Sequence, residues 1–119
     1  MKFRFKNFRV YQDAKACRKF CREVIANNAV MRDKNLTGKL DRSLNSVVLT
    51  IAEGSAGNSD VEFSRFLCIS MRSIYEAAAG FDFVTLYEYE TFEKPGDFQN
   101  STLLNINNKA RNIMLQAKG

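Results

Sequence analysis

A chain of 119 residues with 45% apolar, 12% aromatic and 26% charged side chains has one domain's length and enough apolar mass to bury a core, which excludes a disordered tract. One Pro and 6 Gly are too few for the many turns of an all-β chain. The absence of His removes His-based nucleophilic triads, and a net charge of +5 turns attention to anionic partners.

The charge is segregated. Residues 1–42 hold 12 basic and 4 acidic side chains, a net of +8; residues 43–97 hold 3 basic and 9 acidic, a net of −6; residues 98–119 hold 3 basic and no acidic ones, a net of +3. Such asymmetry suits a polyanion-binding face, or subunits that meet basic face to acidic face. Cys17, Cys21 and Cys68 form an odd set in a sequence without a basic-then-apolar leader, which reads as reduced thiols in a cytoplasmic protein. No uncharged apolar run is long enough for a membrane span.

Residues 1–8 alternate Lys/Arg with Phe, and with no partner strand nearby they read as an arm that packs its Phe rings on the rest of the molecule. A first helix is expected over 9–28, with Asn7 as N-cap and Val10, Ala14, Cys17, Cys21 and Val24 on its core face. Lys15, Arg18, Lys19 and Arg22 lie about a third of a turn away, in the densest basic patch of the chain. Cys17 and Cys21 have helical metal-ligand spacing, but without His or further paired Cys they read as small core residues.

Asn27 to Asn35 reads as a loop, followed by a second helix over 36–52 with Leu40, Leu44, Val47, Val48 and Ile51 inward and Lys39, Arg42, Ser46, Leu49 and Glu53 outward. Gly54 is placed to stop this helix in a left-handed cap. Ser59-Asp60-Val61-Glu62 is a capping box that starts a third helix over 60–89. Its core face carries Phe63, Phe66, Leu67, Ser70, Ile74, Ala77, Phe81 and Val84. A second side carries Ile69, Ala79, Phe83, Leu86 and Tyr87, and a helix apolar on two sides implies a subunit interface. The Pro95-Gly96 turn separates it from a fourth helix over 102–118, with Ser101 as cap and Leu103, Ile106, Ala110, Ile113 and Ala117 inward. Four amphipathic helices with short connections imply an all-α, antiparallel up-down four-helix bundle.

Chemistry is sparse. Glu53, Glu62 and Glu76 are explained by capping and by ion pairs with Arg42, Arg65 or Arg72, and Gly54 to Gly57 lacks the Lys and the strand of a phosphate loop. No catalytic residue, cofactor or metal site is therefore expected, and the chain does not read as an enzyme.

The stretch Leu40 to Gly54, L-D-R-S-L-N-S-V-V-L-T-I-A-E-G, resembles the second-helix signature of the four-helix-bundle proteins encoded in intervening sequences of bacterial 23S ribosomal RNA genes. The matching residues are Leu40, Arg42, Ser46, Ile51, Ala52, Glu53 and Gly54, followed by Ser59, Glu62, Phe63, Phe66, Leu67, Ser73 and Glu76. Phe8 to Ala14 resembles the family's Leu-x-Val-Trp-x-x-Ala, whereas Thr50, Ser70 and Arg72 stand where Asn, Ala and Gly are usual. The resemblance implies a bundle assembled into a homo-oligomeric ring, a pentamer, and a related branch acts as the accessory protein of diversity-generating retroelements, binding nucleic acid and a reverse transcriptase.

Two functions compete. In one, a homo-oligomeric bundle binds structured RNA or DNA, with Lys15, Arg18, Lys19, Arg22, Lys39 and Arg42 on phosphates. In the other, the charges serve subunit or partner-protein contacts, a reverse transcriptase among the partners.

Overall fold

The computed structural model describes residues 3–27, 33–57, 59–83 and 104–118. Among these residues there are four α-helices and no strand: α1 (Arg9–Asn27), α2 (Lys34–Gly54), α3 (Asp60–Phe83) and α4 (Leu104–Lys118). A 3-10 turn over Arg4–Asn7 precedes α1. The expected continuation of the third helix through residue 89, the Pro95 turn, Ser101, Leu103 and the start of the fourth helix lie outside the described residues, as does most of the loop after the first helix.

Each helix contributes its periodic apolar stripe to one core. Ala14, Cys17, Cys21 and Val24 come from α1, and Leu40, Leu44, Val47 and Ile51 from α2. Ile74, Ala77 and Phe81 come from α3, and Ile106, Ala110 and Ile113 from α4. The spacing of three and four residues stacks each set on one side of its helix, and burying these sets together is the main stabilising contribution.

The pairing of helices follows from specific contacts. Between α2 and α3, Gly54 packs on Phe66, the Ser70 hydroxyl donates to the Val47 carbonyl at 2.8 Å, Ser73 donates to Ser46 at 2.9 Å, and Gly80 packs on Leu40. As one helix advances, its partner residues recede. Between α1 and α4, Gln116 donates to Asp13 and Lys109 lies 5.0 Å from the centroid of the Phe20 ring, again in opposite order. The buried Ser70 hydroxyl is thus satisfied by backbone, which avoids the penalty of an unpaired polar group in the core.

Three local expectations are corrected. The second helix begins two residues earlier, at Lys34, because the Asp33 carboxylate accepts from the Asn35 and Leu36 N–H groups at 2.9 and 3.3 Å and so caps it. Asn7 does not cap the first helix. It closes the 3-10 turn, and the Phe8 carbonyl accepts the first helical bond, from the Gln12 N–H at 3.1 Å. Gly54 is not a left-handed stop, since α2 runs through it and is followed by Ser55 in right-handed helical geometry.

The reason for glycine at 54 is space. A Cβ there would sit 2.5 Å from Phe66 Cβ and 3.1 Å from the Phe63 ring, so the α2–α3 crossing closes only without a side chain. At Gly80 the obstacle is Leu40 Cδ2 at 2.6 Å, the far end of a side chain that can rotate. Gly54→Ala is therefore expected to lower stability by about 1–3 kcal/mol, while Gly80→Ala stays within about 1 kcal/mol of neutral because alanine's helix propensity offsets the crowding. Urea midpoints of the two variants measured side by side check this, and equal costs would contradict a rigid crossing at Gly54.

The N-terminal arm is clasped onto the end of the α2–α3 hairpin. Arg4 Nε donates to the Ser55 carbonyl at 2.9 Å and Nη2 to the Gly57 carbonyl at 3.2 Å, placing a cation at the C-terminal end of α2, where the helix dipole favours it. Phe8 stacks on Phe63 with ring centroids 5.5 Å apart, and Phe5 meets Tyr11 edge-on at 4.9 Å. Half of the capping box at α3 is formed, Ser59 Oγ accepting from the Glu62 N–H at 3.3 Å, while the Glu62 carboxylate lies against Gly57.

Candidate nucleic-acid interface

The helical spacing of Lys15, Arg18, Lys19 and Arg22 puts all four on the side of α1 that faces α2. There they line one open groove of about 360 Å³, completed from α2 by Asn45, Val48 and Leu49. Lys15, Lys19 and Arg22 are exposed. Lys15 Nζ also lies 5.0 Å from the centroid of the Tyr11 ring, a cation–π contact that holds its stem against the helix.

Arg18 differs from its three neighbours. Its Nη2 pairs with Asp41 at 3.0 Å and its Nε donates to Asn45 Oδ1 at 2.9 Å, and the side chain is only 18% exposed. Nη1 is buried with no protein partner. Arg18 is thus a tie between α1 and α2 that forms the base of the groove, and the groove's outward charge comes from Lys15, Lys19 and Arg22.

Lys39 and Arg42 do not join this groove. They line a second one, of about 370 Å³, between α2 and α3, with Ser43, Ser46, Ser73 and Glu76. The six cations therefore divide into two sites on either side of α2. Asn45, Val48 and Leu49 were not expected in the first site. Their only signal is position, one and two turns after Asp41 on the flank of α2 that meets α1.

Of the residues expected at a subunit interface, Ile69 (42% exposed) and Phe83 (49%) present apolar surface on α3, and Ala79 is exposed between them. Val61 and Tyr75 add to this surface. Leu86 and Tyr87 lie outside the described residues.

The thiols are inside and outside. Cys17 and Cys21 are buried in the core and hydrogen-bonded to each other, whereas Cys68 is exposed on α3. The bond to Cys17, then burial, push the Cys21 thiol up from its ordinary range, so it stays protonated and unreactive at neutral pH. Iodoacetamide is expected to modify Cys68 at least about tenfold faster than Cys21 in the native protein, and mass spectrometry of peptides after timed quenching reads the order. Equal rates without denaturant would contradict this packing.

Among the described residues no helix is long and apolar enough to cross a membrane, and no group of three or more Cys, Asp or Glu side chains comes together as a metal site would require. No curated protein and no solved structure matches the chain. A family model does match, over residues 6–109, which takes in α1, α2, α3 and the first turns of α4. The chain therefore belongs to the family described as 23S rRNA-intervening sequence protein.

Proposed function

We propose that the protein is a non-enzymatic, homo-oligomeric bundle of the antiparallel up-down type that binds structured nucleic acid through the groove between α1 and α2. The observation that carries this reading is the convergence of Lys15, Lys19 and Arg22 on one open groove whose base is fixed by the Arg18–Asp41 pair. Three solvated cations at spacings of three and four residues match a run of phosphates, and such contacts position a backbone without reading bases. The opposite order of partners in the α2–α3 and α1–α4 contacts supports the up-down arrangement. The exposed apolar residues of α3 support assembly into a ring, and the free thiols suit the cytoplasm.

The test is binding of duplex RNA, single-stranded RNA and DNA across a salt series. The α1–α2 groove of each copy is expected to contribute about −2 to −3 to the slope of log affinity against log salt, at roughly 0.7–0.9 per phosphate neutralised. No detectable affinity at low salt would overturn the reading. A second reading, a scaffold for a partner protein such as a reverse transcriptase, draws on the exposed apolar side of α3. It predicts assemblies that survive nuclease and carry no nucleic acid.

A further inference from the structure

The α2–α3 groove has a different chemistry from the α1–α2 groove. Its α2 wall presents Lys39 and Arg42 and its α3 wall presents Glu76. Between them the Ser73 hydroxyl donates to Ser46 Oγ at 2.9 Å, which leaves the Ser46 proton free to donate to another acceptor. Among the described residues no ion pair joins Lys39 or Arg42 to Glu76, so the three charges of this groove do not neutralise one another at contact distance.

A simple anion fits poorly here because Glu76 opposes it, and a simple cation meets Lys39 and Arg42. The complementary ligand carries an anionic group and, beside it, a neutral hydroxyl able to donate and accept together. A ribose–phosphate linkage has both. Its phosphate suits the cations of the α2 wall, and its 2′-hydroxyl can donate to Glu76 while accepting from Ser46. In DNA the hydroxyl is missing, and Glu76 faces an anionic backbone with no donor to satisfy it.

We infer that the α2–α3 groove reads the ribose 2′-hydroxyl through Glu76 and Ser46 and makes the protein select RNA over DNA. This rests on the proposed binding of nucleic acid, and the experiment separates the two. Binding of one RNA, the DNA of the same sequence and the 2′-O-methyl RNA is measured with the full chain and with Glu76→Ala and Glu76→Gln. The methylated strand keeps RNA geometry but cannot donate, which isolates the hydrogen bond from duplex shape.

The unaltered protein is expected to bind RNA about 10- to 100-fold more tightly than either analogue, the worth of one hydrogen bond to a charged group. Glu76→Ala brings the three within about twofold by loosening RNA and tightening DNA, while Glu76→Gln, whose amide oxygen still accepts, retains an intermediate preference. Equal binding of RNA and DNA by the unaltered protein, or a preference that survives Glu76→Ala, would overturn the inference and leave nucleic-acid binding standing. Binding of none of the three would overturn both. A change of oligomer mass in Glu76→Ala, with no change in RNA preference, would assign these charges to a contact between copies instead.

Discussion

Phe81→Ala is expected to remove about 3–5 kcal/mol of stability, the largest loss from a single side chain among the described residues. Phe81 is 0% exposed and the largest of the fully buried side chains among the described residues, and it sits on the core face of α3. It borders a small void of about 20 Å³ lined also by Ala14, Cys17, Cys21, Leu44 and Ile113. Removing the ring merges its volume with that void, and surroundings held on four packed helices relax only in part to fill it. Against a total of about 5–15 kcal/mol for an ordinary domain, that is roughly a fifth of the stability or more. Urea denaturation at fixed protein concentration is expected to give a lower midpoint with an unchanged slope. Leu115→Ala, on the 62% exposed Leu115 of α4, is the control and changes stability by about 0.5 kcal/mol or less. A Phe81 variant as stable as the control would mean that the four stripes do not share one core.

Replacing Lys15, Lys19 and Arg22 together by Ala is expected to weaken nucleic-acid binding about 100- to 1,000-fold at 0.1 M salt, since each neutralised phosphate is worth roughly tenfold there. The same variant is expected to fold normally, because all three side chains are exposed and none ties two helices together. Arg18→Ala behaves in the opposite way. It deprives Asp41 and Asn45 of their partner and lowers stability by about 1–2 kcal/mol, while the salt slope of binding stays the same. Thermal melts and salt titrations on the two variants therefore move different quantities. If Arg18→Ala flattened the salt slope as much as the triple variant, the division between tie and outward charge would be wrong.

That division marks the limit of what the residues reveal by themselves. The stripes of Ala14, Cys17 and Cys21, of Leu40, Leu44 and Val47, and of Ile106, Ala110 and Ile113 were legible because helical period is a local property, and each stripe is buried as its spacing implies. The basic patch of the first helix was legible for the same reason. Arg18 could not be told from Lys15 or Lys19, because its partner Asp41 is 23 positions away and the pairing exists only once α1 and α2 pack. Lys39 and Arg42 looked continuous with that patch in composition, yet they face α3 rather than α1. Gly54 was misread for a related reason. A glycine after a helical run looks like a stop, while its actual constraint is the approach of Phe66 across the crossing. Asp33 was hidden in a polar stretch that resembles a loop, although Asp is a preferred capping residue.

The proposed phosphate track of the α1–α2 groove consists of Lys15, Lys19 and Arg22. Its most direct test is the anisotropy of a labelled RNA titrated with the unaltered protein and with the triple Ala variant, between about 0.05 and 0.3 M salt. The prediction is a steep salt dependence for the unaltered protein, and a slope shallower by about 2–3 per groove for the variant. Indistinguishable slopes for two equally folded proteins would contradict it.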